Sequence, residues 1–366
     1  MRVLILANND VGLYKFRKEL LEALLSENEV HISLPYGEFV DDMIEMGCIY
    51  HNIEFDRHGT NPIKELGQIS YYKKLIKEIA PDVVLTYTIK PNVYGGMACT
   101  ALKVPYLCNI TGLGITIENK GIMQKLSLAL YRLGLRKAHK VFFQNQRNLE
   151  FMLNHKVVNG EYHVLPGSGV NLQNFSLVEY PPENENINFL FIGRVMKDKG
   201  VDEFLSMAKQ IKALYPNTNF DIVGMIDGDY EQVISSAVDD GYINYHGQQS
   251  DVKPFIKKSH CVVLPSYHEG MANVLLEAAA SGRPVIATDI AGCRETFDDG
   301  VTGYDCKARS AESLIDAVER FIKLPYGQKA QMGKNGRKKV EQQFDRQIVI
   351  DIYLKEINNI KERELK

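Results

Sequence analysis

The sequence predicts an α/β protein made of two Rossmann-like, doubly wound, parallel-sheet domains, and three observations predict it. The chain has 366 residues, long for one core and right for two of ordinary size. Short apolar runs alternate with helical ones, the β-α-β rhythm of a parallel sheet. The residues with most chemical character follow the ends of those runs, where ligands bind in such sheets.

Composition bounds the class. Apolar residues make up 45% and charged residues 24%, as in a globular protein. A formal net charge of −3 gives no general reason to expect nucleic acid. Six scattered cysteines contain no C-x-x-C pair and read as buried thiols of a reducing compartment, not as a disulfide frame or a zinc site. The first strand begins at Val3 and leaves no room for a signal peptide. No apolar run approaches the ~20 residues that cross a bilayer. The expectation is therefore a cytoplasmic protein that does not span a membrane. Charge is uneven: residues 64–147 hold thirteen Lys or Arg against four acids, net +9, while residues 1–63 hold five against eleven, net −6. A basic block inside an acidic protein points to an anionic surface or substrate on one side.

Taken in order, the first strand leads into the loop Asn8-Asn9-Asp10-Val11-Gly12-Leu13-Tyr14, and a helix opens at Lys15. Gly12 is the candidate for close backbone approach to a ligand, with a purely turn-forming role equally open. Strand-like runs at 30–34, 48–53, 83–87, 106–110 and 141–144 continue the first domain. Two loops at strand ends stand out. In Thr88-Ile89-Lys90-Pro91-Asn92, Lys90 is placed to meet an anionic acceptor. In Asn109-Ile110-Thr111-Gly112-Leu113-Gly114, the glycines free the backbone beside Thr111. The basic segment 120–140 has a broad apolar face and reads equally well as a contact for anionic lipid headgroups or as a crossover helix with a solvated basic edge. Gly167-Ser168-Gly169 lacks the third glycine and helix start of a dinucleotide fingerprint and reads as a hinge entry. The expected domains are 1–175, a polar, Pro-rich linker at 176–187, 188–344, and a final helix at 345–366.

In the second domain, Phe189-Leu190-Phe191-Ile192 is a strand ending in Gly193-Arg194, and Lys197-Asp198-Lys199-Gly200 precedes a helix with Val201, Phe204, Leu205, Ala208 and Ile211 on one face. Gly193 opens the backbone to a ligand; Arg194, Lys199 and the helix dipole suit a diphosphate. The plain alternative is two exposed cations flanking a surface turn. Cys261-Val262-Val263-Leu264 is a buried strand ended by Pro265-Ser266, and a helix runs from Asn273 to Gly282. Glu269 lies before that helix and Glu277 within it, with the backbone N–H groups of residues 270–273 at its positive end. An acid ahead of a helix is ordinary taken alone; two such features, each at a strand end of one domain, are not. Asp227-Gly228-Asp229 is expected to stay solvated, so no metal requirement is expected.

Phe191-Ile192-Gly193-Arg194 with Lys199-Gly200, then Pro265-Ser266, Glu269, seven intervening residues, Glu277 and Ala278-Ala279-Ala280-Ser281-Gly282-Arg283-Pro284-Val285, together resemble the family-4 retaining glycosyltransferases. Thr88-Ile89-Lys90-Pro91-Asn92-Val93-Tyr94-Gly95 and 109–114 are similar to the branch that builds capsule, O-antigen and protein-glycan repeat units on undecaprenyl diphosphate. The resemblance implies the GT-B fold, two facing Rossmann-like domains with a last helix, marked by Ile350, Tyr353, Leu354, Ile357 and Ile360, that crosses back to the first. It implies a UDP-sugar donor, with an N-acetylhexosamine such as N-acetylgalactosamine the first expectation, a saccharide acceptor on a polyprenyl diphosphate, retention of configuration, and no cofactor or metal. By the same resemblance, Glu269, Arg194 and Lys199 carry the transfer; Gly12, Thr111, Gly193, Met271, Ala272, Asn273 and Glu277 hold the donor; and Lys90 and Asn109 meet the acceptor. Many relatives place a histidine near the second loop, where this chain has Asn109 and Thr111, so no catalytic histidine is assigned. The implied location is the cytoplasm, with peripheral contact to the inner face of an anionic plasma membrane left open. A non-hydrolysing UDP-sugar epimerase of similar plan and a non-catalytic sugar-nucleotide-binding subunit stand as alternatives.

Overall fold

A computed structural model describes residues 1–53, 62–113, 121–183 and 186–364; Gly114, Lys120, Asn184 and Glu185 lie outside the described residues. The chain divides into two compact units, one of Met1–Ser168 with Gln347–Lys366 and one of Gly169–Arg346.

In the first unit, β1 (Arg2–Leu6), β2 (Glu29–Leu34), β3 (Ile49–Asn52), β4 (Val83–Tyr87), β5 (Tyr106–Ile110), β6 (Lys140–Phe143) and β7 (Tyr162–Val164) form one parallel sheet in the order β3-β2-β1-β4-β5-β6-β7. β4 and β5 are buried at every residue, which is why they read as continuous apolar runs and not as alternating ones. Leu4, Leu6 and Val84 face one core layer, and Val3, Ile5 and Leu85 face the other. Tyr353, Ile357 and Ile360 of the C-terminal helix (Arg346–Glu364) complete that second layer.

The helix Ile122–Gly134 turns Leu128 and Tyr131 inward and leaves Ile122, Met123, Leu126 and Leu133 exposed by 85%, 48%, 51% and 53%. Its cations divide. Arg132 donates to the carbonyls of His155 and Lys156, and Lys140 beyond it pairs with Glu356 at 2.7 Å. Lys125, Arg136 and Lys137 are exposed. Among the described residues, no helix is long and apolar enough to cross a membrane.

In the second unit, β8 (Ile187–Ile192), β9 (Thr218–Val223), β10 (Asn244–Tyr245), β11 (Cys261–Leu264), β12 (Val285–Thr288) and β13 (Gly303–Cys306) form a parallel sheet in the order β10-β9-β8-β11-β12-β13. Stacked Phe189 and Phe220, with ring centroids 5.3 Å apart, lie in its core. Arg283 is fully buried, with no carboxylate partner among the described residues; its guanidinium donates to the carbonyls of Ile256, Glu179 and Lys257 at 3.0, 2.6 and 2.8 Å. Tyr180 donates to the His260 carbonyl at 3.0 Å. Residues 178–180 of the polar stretch read as linker are thus fastened to this unit. Burial holds Arg283 down to about 10 and His260 down to about 4. All six cysteines are free and buried.

Candidate active site

In each sheet the strand order reverses once, between β1 and β4 in the first unit and between β8 and β11 in the second. Loops that leave neighbouring strands at such a reversal diverge to opposite faces and open a ligand crevice.

In the second unit the loops after β8 and β11 are brought together by Gly200. It sits at φ 72°, and a Cβ there would stand 2.0 Å from the Pro265 carbonyl oxygen, so no side chain fits. The Tyr267 N–H donates to the Asp198 carbonyl at 2.8 Å, and the Thr288 hydroxyl to the Ser266 carbonyl at 2.6 Å. Lys199 Nζ consequently meets Glu269 Oε1 at 2.5 Å, with side chains 21% and 12% exposed. The Ser266 hydroxyl donates to the same oxygen at 2.8 Å. An ion pair this shielded is stronger than one in open solvent, and it fixes the ammonium in place.

Behind this pair, Gly292 at φ 88° holds the loop 269–273: a Cβ there would lie 2.6 Å from the Glu269 carbonyl oxygen. The Ala272 N–H donates to the Gly292 carbonyl at 2.8 Å, and the Gly292 N–H to Glu295 Oε2 at 2.7 Å. The Asn273 N–H is spent on the Met271 carbonyl at 3.0 Å. The expectation that the amides of Met271, Ala272 and Asn273 all face the donor is corrected accordingly: two are committed to the protein, and only the Met271 N–H has no partner among the described residues. The Met271 side chain packs with Leu276 and Phe344. Asn273 Oδ1 is buried without a partner among the described residues, an orphan acceptor. Glu277 is half-buried in the helix Asn273–Ala280. Cys293 is fully buried nearby; burial, then the Glu269 charge, pushes its thiol well above the usual range, so it stays protonated and inert.

Arg194 stands outside this arrangement. It pairs with Asp227 at 2.8 Å, with side chains 57% and 42% exposed. Asp227, read as solvated, therefore has a partner. At Gly193 a Cβ would meet only the Phe191 ring, at 3.7 Å, so the space beside its backbone is open, whereas one on Gly224 would fall 1.8 Å from the Gly193 carbonyl oxygen. The close passage of backbone against backbone here belongs to Gly224. Among the described residues, no group of three or more His, Cys, Asp or Glu is placed to hold a metal ion.

In the first unit, the Gly12 N–H donates to Asn9 Oδ1 at 2.6 Å and caps the helix Asp10–Leu25, so it is not a free donor. Its lack of a side chain serves the cap, because a Cβ would stand 2.8 Å from that oxygen. Asn109 is corrected outright. It is 2% exposed; its Nδ2 donates to the Thr86 carbonyl at 3.1 Å, and its Oδ1 accepts from the Tyr353 hydroxyl. It braces the core and does not touch a ligand. Lys90 and Thr111 are half-buried at the ends of the loops after β4 and β5. Gly112 has open space where a Cβ would go.

Sequence reasoning missed Ser266 and Gly292, and read Tyr353 only as part of an apolar helix face. Ser266 carried a usable signal, a hydroxyl three residues before a loop glutamate. Tyr353 carried none, since its partner Asn109 is 244 residues away.

Comparison with known proteins agrees on class. A family described as "Glycosyl transferases group 1" matches residues 175–339, and one described as "Glycosyl transferase 4-like" matches residues 2–145. The chain is 28% identical, over 97% of its length and 98% of the relative's, to the N,N'-diacetylbacillosaminyl-diphospho-undecaprenol alpha-1,3-N-acetylgalactosaminyltransferase of Campylobacter jejuni. It is 30% identical to an uncharacterized glycosyltransferase of Methanocaldococcus jannaschii, over 89% of each chain. Its fold matches the solved glycosyltransferase of Rickettsia africae with a TM-score of 0.81 at 18% identity, covering 98% of both chains. It also matches Anabaena Alr3699/HepE in complex with UDP and glucose, with a TM-score of 0.79 at 16% identity, covering 98% of this chain and 99% of that one.

Proposed function

We propose a donor and an acceptor for this chain, which belongs to the group 1 and 4-like glycosyltransferases and shares their GT-B fold: it moves an N-acetylhexosamine, N-acetylgalactosamine first, from a UDP-sugar to a saccharide on a polyprenyl diphosphate. The observation that carries the reading is the Lys199–Glu269 pair at the strand-order reversal of the second unit. The 28% identity along nearly the whole chain to an enzyme named for an undecaprenol-diphosphate acceptor supports the substrate choice.

As the glycosidic bond to the donor diphosphate breaks, negative charge grows on the leaving phosphate. Lys199, fixed by Glu269, and Arg194 on its exposed arm offset that charge, doing with protein cations what a divalent ion does elsewhere. Glu269 orients the sugar as a hydrogen-bond acceptor, the Met271 N–H supplies a donor, and Glu277 accepts from the two ribose hydroxyls. Transfer proceeds with retention by same-face attack of the acceptor hydroxyl on the anomeric carbon, its proton passing to the departing diphosphate oxygen.

The acceptor is anionic and held by a membrane, and the first unit carries matching features. Ile122, Met123, Leu126 and Leu133 form an exposed apolar edge, with Lys125, Arg136 and Lys137 exposed beside them. This surface rests on an anionic bilayer, each cation adding about 1 kcal/mol near the headgroups.

Purified protein incubated with labelled UDP-sugars, with and without a polyprenyl-diphosphate saccharide and with and without a chelator, tests the reading. The expected result is acceptor-dependent transfer that survives chelation. Conversion of the donor without acceptor would replace this reading with epimerisation, and donor binding without turnover would reduce the protein to a binding subunit. Sedimentation with vesicles tests the membrane surface: binding to anionic but not neutral vesicles is expected, weakened when Leu126 and Leu133 become serine.

A further inference from the structure

In the first unit, the loop that leaves β4 is held with more constraint than a connection requires. Thr88 takes φ 72°, a left-handed conformation that a β-branched residue enters only when its surroundings impose it. The Asn92 N–H reaches back to the Thr88 carbonyl at 3.0 Å, and the chain continues in a π-helical turn, Pro91–Gly95. Outliers and turns of this kind concentrate where ligands bind.

Beneath the loop lies a sealed network of neutral groups. The Thr86 hydroxyl donates to Asn92 Oδ1 at 2.6 Å, Asn92 Nδ2 to the Asn109 carbonyl at 2.8 Å, and Asn109 Nδ2 to the Thr86 carbonyl at 3.1 Å. The Tyr353 hydroxyl, from the C-terminal helix, donates to Asn109 Oδ1. Asn92, Asn109 and Tyr353 are 0%, 2% and 0% exposed. Buried Arg17 caps the cluster, its guanidinium 5.4 Å from the Tyr87 ring centroid and 6.0 Å from that of Tyr353. Above this base, Thr88 and Lys90 are half-buried and Ile89 is exposed. The loop also leaves the sheet at its strand-order reversal, the place that holds Lys199 and Glu269 in the second unit.

We propose that Thr88 contacts the acceptor saccharide and that Tyr353, acting through Asn109 and Asn92, is the residue that positions it. The Thr88 hydroxyl spends its proton on the Tyr87 carbonyl, so the side chain presents lone pairs. It accepts a hydrogen bond from a sugar hydroxyl or an N-acetyl N–H. This inference rests on the acceptor named in the preceding subsection.

The test uses the full-length protein and three variants. Thr88→Val is expected to raise KM for the lipid-linked acceptor at least tenfold with KM for the UDP-sugar unchanged, while Thr88→Ser stays within threefold of wild type. Tyr353→Phe is expected to raise the acceptor KM three- to tenfold and to speed amide hydrogen exchange across residues 87–96 at least fivefold, with exchange in β8 and β9 unchanged. A wild-type acceptor KM in Thr88→Val overturns the contact, and unaltered exchange at 87–96 in Tyr353→Phe overturns the positioning. If the wild-type protein transfers nothing to the lipid-linked acceptor, the functional reading is what has failed, and the exchange comparison still decides whether Tyr353 holds the loop.

Discussion

The two units share one sheet plan and treat its strand-order reversal in opposite ways. In the second unit the reversal carries charge, Lys199 against Glu269, set by close passages of backbone at Gly200 and Gly292. In the first it carries neutral groups, Asn92, Asn109 and Tyr353, under a strained Thr88. The Lys199–Glu269 pair is 21% and 12% exposed, whereas Asn92, Asn109 and Tyr353 are 0%, 2% and 0% exposed, with the Arg17 guanidinium beside them buried as well. On the proposed reading the ion pair must release its cation to a ligand, which requires it to stay within reach of solvent. An amide network has nothing to hand over, and a buried amide left half-satisfied is costly, so it is sealed.

The sharpest way to break this contrast is Lys199→Ala, which strands a largely buried carboxylate and, on the proposed reading, removes a charge-assisted contact to the leaving group. A fall in kcat/KM of about a hundredfold or more is expected. A loss under threefold would mean that the charged reversal does not carry the reaction. Gly200→Ala comes next. Its Cβ meets backbone and not a flexible side chain, so about 1–3 kcal/mol of stability should disappear from the second unit in denaturant titration, with the first unit's exchange pattern intact. In the first unit, Asn92→Ala removes the side-chain donor to the Asn109 carbonyl and leaves the Thr86 hydroxyl only the weak Cys108 thiol as acceptor, and should cost about 1–3 kcal/mol, read as faster exchange in β4 and β5.

A smaller effect in the second unit depends on pH. His260 falls from 6.5 to about 4 in the folded second unit, chiefly through burial, so the unfolded chain binds the proton first. Its contribution to stability is whole above pH 6.5 and is lost as pH falls toward 4. Thermal melts between those values should show a decline that His260→Phe flattens. The least effect is expected at Arg194. Its pair with Asp227 is exposed, so Arg194→Ala should change stability by no more than about 0.5 kcal/mol while raising the donor KM.

Much of this was legible in the residues, and the boundary of legibility is physical. The parallel strands declared themselves because a strand buried on both faces is a continuous apolar run, as Val83–Tyr87 and Cys261–Leu264 are. Lys199 and Glu269 could be singled out because each follows such a run. That they touch could not be read, since contact depends on Gly200 passing Pro265 and on Gly292 supporting Glu269, both matters of backbone path. Asn109 misled for the opposite reason. A polar residue at a strand end looks like a ligand contact until a tyrosine far along the chain is seen to bury it. The amides of Ala272 and Asn273 looked available because helix starts leave donors open, yet the Gly292 and Met271 carbonyls take them.

The C-terminal helix gives the molecule an unusual order of completion. Residues 169–346 form one unbroken stretch, whereas the first unit closes only when residues 347–364 return to it. On a ribosome, the unit made earliest is therefore the one finished latest, and the oxygen of Asn109 waits through most of synthesis for the hydroxyl that satisfies it. Removing residues 352–366 would take that hydroxyl away and damage the first unit, at the other end of the sequence, before the second.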